Sequence, residues 1–455
     1  MNYISKGLND LQFLFNGENL RARAIRGAVW TTLGYGASQV IRLASNLILT
    51  RLLFPEAFGL MAIIQVFMQG ISMFSDLGIG ASIIQNRRGD HPLFLDTAWT
   101  IQVIKGVLLF SIMVAIAAPI ASIYEAPILA NLMPVVAISA VINGFIPIRY
   151  QTANRNLLLG RLTLIEVLSQ FLSILVLVTL AFCTRSVWSL VLGGLVGSAA
   201  KLFLVSQFMD GRRSSFSWHR GSLRDIVHFG KWIFLGSVVG FFANQGDKLI
   251  LASYMTKAEL GVYSIAFGIS SIVWALHSKI NHLIFFPIYS NLRDLSPAEL
   301  RPRVYKARIV MCLCLLPPLI LLILFGVEVI GFLYDERYEK AGWMIQIIST
   351  GYIISVGTNI GPFYLAQGNS KLMTILIAVK AAIFIICMLI GAEFFGVVGV
   401  LVGGAVSHLV FYFIETSVYR YYKLWIWKLD FIFLSIILCV VSYSFGGIVN
   451  SGNYL

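Results

Sequence analysis

Ile309–Leu333 reads IVMCLCLLPPLILLILFGVEVIGFL, and this stretch decides the fold class. It carries one charged residue, Glu328, where a soluble segment of that length holds about six. A helix rises 1.5 Å per residue, so ~20 apolar residues cross a bilayer core and this run is long enough to span. Its flanks differ in sign. Arg301, Arg303, Lys306 and Arg308 precede it, whereas Asp335, Glu336 and Glu339 follow it. Basic residues collect on the cytoplasmic side of a span, so the chain is predicted to run outward here.

Twelve more stretches read the same way. The predicted spans are 28–50, 58–84, 94–122, 128–148, 162–183, 186–208, 229–253, 260–288, 309–333, 343–366, 372–392, 396–419 and 431–449. The 455-residue chain is 58% hydrophobic and 12% charged, with mean hydropathy +0.83. A soluble domain needs about twice that charge. A soluble enzyme, a secreted disulfide scaffold and a disordered regulator are excluded, leaving an all-α polytopic membrane protein. Cys183, Cys312, Cys314, Cys387 and Cys439 all lie in apolar stretches and read as packing residues, not as disulfide partners or metal ligands.

With the N-terminus placed in the cytoplasm, 22 of the 34 basic residues fall in inside segments. Outside segments hold only Arg51, Arg185, Lys257, Arg337 and Lys340. The net charge of +13 is therefore a topology signal and does not call for nucleic acid. Thirteen spans put the C-terminus outside. Residues 1–20 are too short in apolar run to cross and are expected along the membrane surface, and no cleavable signal is expected before the first span. The outside turns are too short to hold a globular catalytic unit.

An offset of 202 residues aligns Trp30 with Trp232, Gly34 with Gly236, Leu47-Ile48-Leu49 with Leu249-Ile250-Leu251, Gly59 with Gly261 and Ile63 with Ile265. Six spans separate the copies, an even number, so both keep one orientation. Parallel repeats related by an axis along the membrane normal are predicted, with a ligand path between them.

Four motifs follow in order: Arg51-Leu52-Leu53-Phe54-Pro55-Glu56-Ala57-Phe58-Gly59, Ser75-Asp76-Leu77-Gly78 with Gln85, Asn244-Gln245-Gly246-Asp247-Lys248, and Leu260-Gly261-Val262-Tyr263-Ser264. Over roughly residues 22–425 the chain resembles the polysaccharide-transporter branch, the O-antigen and exopolysaccharide flippases, of the multidrug/oligosaccharidyl-lipid/polysaccharide exporter superfamily. The resemblance implies two six-helix bundles around a central cavity. The segments are then a cytoplasmic N-terminal segment 1–21, bundles at 22–208 and 229–423, a cytoplasmic linker 209–228 and an additional C-terminal transmembrane segment 424–455. It implies flipping of undecaprenyl-pyrophosphate-linked glycan across the bacterial inner membrane, with membrane lipids, a polysaccharide polymerase and other assembly proteins as partners. The thirteenth span departs from a twelve-helix core.

Ionisable residues at bilayer depth mark a pathway, a pair or a coupling site. Seven cations qualify: Arg42, Lys105, Lys201, Lys231, Lys248, Lys279 and Lys380. Lys201, Lys231 and Lys279 lie where long side chains can snorkel to the headgroups. Lys105 and Lys380 sit too deep for that, about 12 Å into their spans. At the 202 offset Arg42 maps onto Asn244 and Asn46 onto Lys248, so each half presents a cation and an amide one turn apart. Gln39 lies one turn before Arg42. A cavity-lining face suited to a pyrophosphate, which Arg holds bidentately, competes here with a helix–helix network. Candidate substrate contacts are therefore Arg42, Lys248, Asn46, Asn244, Gln39, Lys105 and Lys380. Asp247, Asp76 and Glu166 are candidates for ion coupling, against simple charge compensation.

His277 and His282 are five apart and do not share a face as a metal pair would; Gly193/Gly197, Gly236/Gly240 and Gly357/Gly361 read as helix contacts. The sequence contains no Walker phosphate loop, no His-Glu-x-x-His and no nucleophile elbow, so no cofactor, metal or catalytic residue is expected. Three functions compete: a lipid-linked oligosaccharide flippase working by alternating access, a drug/cation antiporter of the same fold, and a membrane-embedded glycan polymerase or glycosyltransferase. An antiporter favours an acidic pocket, and an enzyme needs a substantial outside loop.

Overall fold

The computed structural model describes residues 20–86, 88–156, 158–281, 285, 289, 297–357 and 370–451. The N-terminal segment up to residue 19, His282, Arg293 and Gly361 lie outside the described residues, as do the side chains of Trp232, Asn244 and Lys371. The described residues form helices and no strand. They are α1 Leu20–Leu52, α2 Pro55–Phe74, α3 Ile79–Gln85, α4 Pro92–Ile123, α5 Leu129–Gly144, α6 Arg149–Arg155 and α7 Leu159–Thr184. They continue with α8 Trp188–Phe208, α9 Arg220–Tyr254, α10 Lys257–Ile280, α11 Pro297–Leu333, α12 Ala341–Gly357, α13 Ser370–Tyr421 and α14 Trp427–Ser451. Seven helical segments are long and apolar enough to cross a membrane, and two bent pairs bring the number to nine.

Breaks in the helices follow local chemistry. The predicted span 58–84 is interrupted between α2 and α3, where Gly78 takes a left-handed conformation at φ +58° and Asp76 Oδ1 accepts its N–H at 3.0 Å. Between α5 and α6 the axis turns by 62° ahead of Pro147. Gln102 Nε2 from α4 satisfies carbonyls left open there, those of Gly144 at 2.9 Å and Ile146 at 3.0 Å. The 52 residues of α13 would reach about 78 Å if straight, far beyond one crossing. Phe395 and Gly396 leave the helical region, with Gly396 at φ +55°. The chain doubles back so closely that a Cβ on Gly399 would meet the Gly391 carbonyl and one on Gly403 the Cys387 carbonyl. The two arms coincide with the predicted spans 372–392 and 396–419.

The chain divides into two compact units, one of Met1–Leu53 and Ile64–Val238, the other of Phe54–Ile63 and Val239–Leu455. The division runs through α2 and α9. In the first unit α1 packs on α7, α4 on α5 and α7 on α8. Gly193 faces Leu177 and Gly197 faces Ser173, so that glycine pair does serve close helix contact. Gly236 has open space at its Cβ position.

The predicted linker 209–228 is no free connection. Its second part is the start of α9, and its first part lies extended on α4. The N–H groups of Ser215, Ser217 and His219 donate to Asp96 Oδ1 at 3.2 Å, Thr100 Oγ1 at 3.0 Å and Thr97 Oγ1 at 3.2 Å. Arg212 pairs with Asp96 at 2.7 Å, and Phe216 packs on Trp99 at 4.7 Å. Asp96 is buried, and these bonds satisfy it.

In the second unit α11 packs on α12, α12 on α10 and α13, and α14 on α11 and α12. The additional helix α14 is tied in by a buried ion pair between Arg308 and Asp430, with Tyr419 5.0 Å from the guanidinium. Gly59 of α2 and Gly261 of α10, equivalent at the 202 offset, face each other here. A Cβ on Gly59 would strike the Lys257 carbonyl, and one on Gly261 the Pro55 carbonyl, which are again equivalent positions.

Candidate functional site

Along α1, Tyr35, Gln39, Arg42 and Asn46 recur at spacings of four, three and four, which places them on one helix face. Gln39 Nε2 donates to Tyr35 Oη at 2.5 Å. Arg42 is exposed and makes no hydrogen bond or ion pair among the described residues. Asn46 is half-buried. The neighbouring Ser38 and Gln170 bond side chain to side chain, and Gln170 Nε2 also reaches the Ser38 carbonyl at 3.1 Å, which fixes this part of α1 on α7. A charge so exposed at membrane depth calls for water or an anion beside it, because hydrocarbon would penalise it.

Two other candidate groups in the first unit have found each other. Lys105 lies 3.5 Å from Asp76, joining a candidate substrate contact to a candidate coupling acid. Glu166 is held by Lys201 at 3.4 Å and by the hydroxyl of Tyr150, over whose ring Lys201 sits at 4.5 Å. Burial and the Glu166 charge push the Tyr150 phenol well above its ordinary value, so it stays a donor.

In the second unit Lys248 Nζ donates to Gln245 Oε1 at 3.1 Å and sits 4.8 Å from the Phe267 ring centre. Asp247, though adjacent in sequence, points elsewhere: it is buried and accepts from the Tyr263 hydroxyl. The equivalent of Arg42, Asn244, has its side chain outside the described residues. Lys380 is brought to neither Lys248 nor Asp247 by any hydrogen bond or ion pair among the described residues; it lies between the rings of Trp274 at 5.4 Å and Phe411 at 5.3 Å.

Sequence reasoning missed the ring-bearing partners. Tyr263, Phe267, Ser270, Trp274 and His277 recur on α10 at spacings of four, three, four and three. That stripe of polar and aromatic side chains inside a span was a readable signal. Its partners on other helices, Ser349 facing Ser270 at 3.3 Å and Tyr352 stacked on Trp274 at 5.2 Å, were not. The five cysteines are free, and the described residues contain no cluster of three or more metal-ligating side chains.

Most of the chain superposes on solved transporters. "Lipid II flippase MurJ, inward closed conformation" aligns with a TM-score of 0.71 at 14% identity, covering 95% of this chain and 93% of that one. An inward-facing multidrug resistance MATE family transporter of the MOP superfamily aligns at 0.65 and 15% identity, over 86% of this chain and 95% of that one. The fold is thus that of the exporters of the multidrug/oligosaccharidyl-lipid/polysaccharide superfamily, and the chain lies in their polysaccharide-transporter branch. It belongs to the family described as Polysaccharide biosynthesis protein, which matches residues 48–342. Among its relatives is the Lipopolysaccharide biosynthesis protein WzxC of Escherichia coli (strain K12), 25% identical over 444 residues, 94% of this chain and 88% of that protein.

Proposed function

We propose that this protein flips undecaprenyl-pyrophosphate-linked oligosaccharide from the cytoplasmic to the periplasmic leaflet of the bacterial inner membrane, by alternating access and without catalysis. Family membership and the fold shared with a lipid II flippase support the substrate class. The observation that carries the reading is Arg42, exposed at membrane depth without a partner among the described residues and flanked on its own helix face by Gln39 and Asn46. A guanidinium offers the paired donors that a pyrophosphate accepts. Lys248 supplies a second cation, placed by Gln245 and Phe267. Asp76 and Glu166 each sit against a lysine and serve charge compensation; Asp247, which accepts from the Tyr263 hydroxyl and makes no ion pair among the described residues, is the candidate for a coupling proton. Energy comes from an ion gradient or from one-way consumption of the flipped product.

A deletion strain tests this reading directly. It should accumulate lipid-linked glycan in the cytoplasmic leaflet, with normal synthesis and loss of surface polymer. Accumulation already in the periplasmic leaflet would place the defect after flipping and sink the reading. The proposed orientation, N-terminus in the cytoplasm, requires reporter fusions after Arg88 and after Arg220 to read as cytoplasmic; a periplasmic signal at either overturns it.

A further inference from the structure

Lys380 stands apart from the other deep cations. It lies ten residues into α13, about 15 Å from its first residue, too deep for a lysine to reach the headgroups. Among the described residues it makes no hydrogen bond and no ion pair. Its ammonium instead faces Trp274 at 5.4 Å and Phe411 at 5.3 Å, both within the distance at which a cation is drawn to a ring face. Trp274 is fixed in turn, with Tyr352 stacked on it at 5.2 Å and His277 beside it at 4.7 Å.

The box draws on three helices. Trp274 and His277 lie on α10, Tyr352 on α12, and Lys380 and Phe411 on the two arms of α13. His408 on the second arm is held by Ser355 at 2.5 Å and flanked by the rings of Tyr352 at 6.1 Å and Phe384 at 6.2 Å. The close glycine contacts of the α13 hairpin draw its arms together, which lets Phe411 cover a lysine on the other arm. His277 sits beside Trp274 and His408 beside Tyr352, and Glu415 lies one turn beyond Phe411 on the same arm. The titratable side chains around the box include, among the described residues, Glu415, His277, His408 and the Tyr352 phenol.

A methionine would fill the same space without bringing a charge into the bilayer. An aromatic box with a carboxylate nearby is, however, the arrangement that binds alkylammonium ions. We propose that Trp274 and Phe411, backed by Tyr352, His277 and His408, form a binding cage for a monovalent alkylammonium cation, and that Lys380 fills it as a tethered ligand. The cage then takes no soluble cation while Lys380 is present and takes one when the lysine is shortened. This goes beyond glycan flipping and is tested without it.

The experiment is thermal unfolding of the full-length purified protein. Lys380→Ala removes about the length of n-propylammonium, and the variant should melt below wild type. Addition of n-propylammonium at tens of millimolar should raise its midpoint by about 2 °C or more. The same concentrations of 1-propanol or sodium chloride should not, the wild type should show no amine-specific gain, and Lys380→Ala with Trp274→Leu should lose the effect. Should Lys380→Ala fail to fold, Lys380→Val leaves room for ethylammonium and is read in the same way. Equal responses of wild type and the shortened variant, or equal responses to amine and alcohol, overturn the cage. Neither result bears on whether the protein flips glycan.

Discussion

In the first unit two of the deep lysines lie against carboxylates, Lys105 at 3.5 Å from Asp76 and Lys201 at 3.4 Å from Glu166. In the second unit Lys248 and Lys380 lie against rings, at 4.8 Å from Phe267 and 5.4 Å from Trp274. A carboxylate cancels a positive charge; a ring face stabilises the charge and leaves it standing. In the first unit Arg42, on a face lined with amides, makes no ion pair among the described residues. In the second, Lys248 stands beside a polar amide and Lys380 between two rings, with Glu415 one turn beyond Phe411. The two units thus surround their deep lysines with different chemistry.

The largest expected effect breaks the second unit's exception, its buried ion pair. Arg308→Met and Asp430→Asn each leave a partner charge or dipole buried, and each should destabilise by about 3–5 kcal/mol. The double variant Arg308→Met with Asp430→Leu should recover most of that, because two apolar side chains need no partner. Protease accessibility of α14 and the thermal midpoint report it. If both single variants behaved as wild type, the pair would not hold α14.

The spans were legible because twenty apolar residues leave a helix little alternative in lipid, and Ile309–Leu333 needs no neighbour to be read. The breaks were less so. Gly396 turns a 52-residue helix into a hairpin, yet glycine is common within spans, and only the facing carbonyls of Gly391 and Cys387 show why this one turns. At the candidate site, depth alone identified Arg42, Lys105, Lys248 and Lys380 as unusual. What each one faces depends on helices distant in sequence: Asp76 for Lys105, Trp274 and Phe411 for Lys380. The extended linker over α4 was hidden for the same reason, since Asp96, Thr97 and Thr100 read as ordinary polar residues at a span entrance.

The repeat itself supplies the next test. Gly34 packs so closely on Thr163 that a Cβ would strike its methyl, whereas its equivalent Gly236 faces open space. Gly34→Ala should cost about 1–3 kcal/mol through overpacking. Gly236→Ala should be neutral or stabilise by up to about 1 kcal/mol, since alanine is the better helix former. Gly59→Ala and Gly261→Ala meet carbonyls at equivalent places and should resemble Gly34→Ala. Equal melting of Gly34→Ala and Gly236→Ala would remove this difference between the units.

Function should separate Arg42 from Lys248 by geometry as well as charge. Arg42→Lys keeps the charge but loses the two-pronged donor, so glycan export should fall, and Arg42→Ala should lower it further, about tenfold or more if one charge-assisted contact of roughly 1.5 kcal/mol is lost. Lys248→Arg should be tolerated better than Lys248→Ala, because an ammonium acts as a point charge. All four variants should reach the membrane at normal levels. Wild-type export by both alanine variants would leave the proposed anion face without support.

The smallest effect sharpens the contrast between carboxylate and ring. Lys201 and Glu166 are both partly exposed, so their coupling in a double-mutant cycle should be only about 0.2–1 kcal/mol. Lys248 and Phe267 should give a coupling of similar size, about 0.5–1 kcal/mol. Salt distinguishes them. At 1 M ionic strength the screening length falls to about 3 Å, shorter than the 3.4 Å separating Lys201 from Glu166, so that coupling should shrink markedly. The ring contact involves no second full charge for added ions to screen, so its coupling should change less. Thermal midpoints of the four variants of each cycle, at low salt and at about 1 M, measure both. Equal salt sensitivity would mean that the second unit's lysine is as open to solvent as the first unit's, and that the rings do not set it apart.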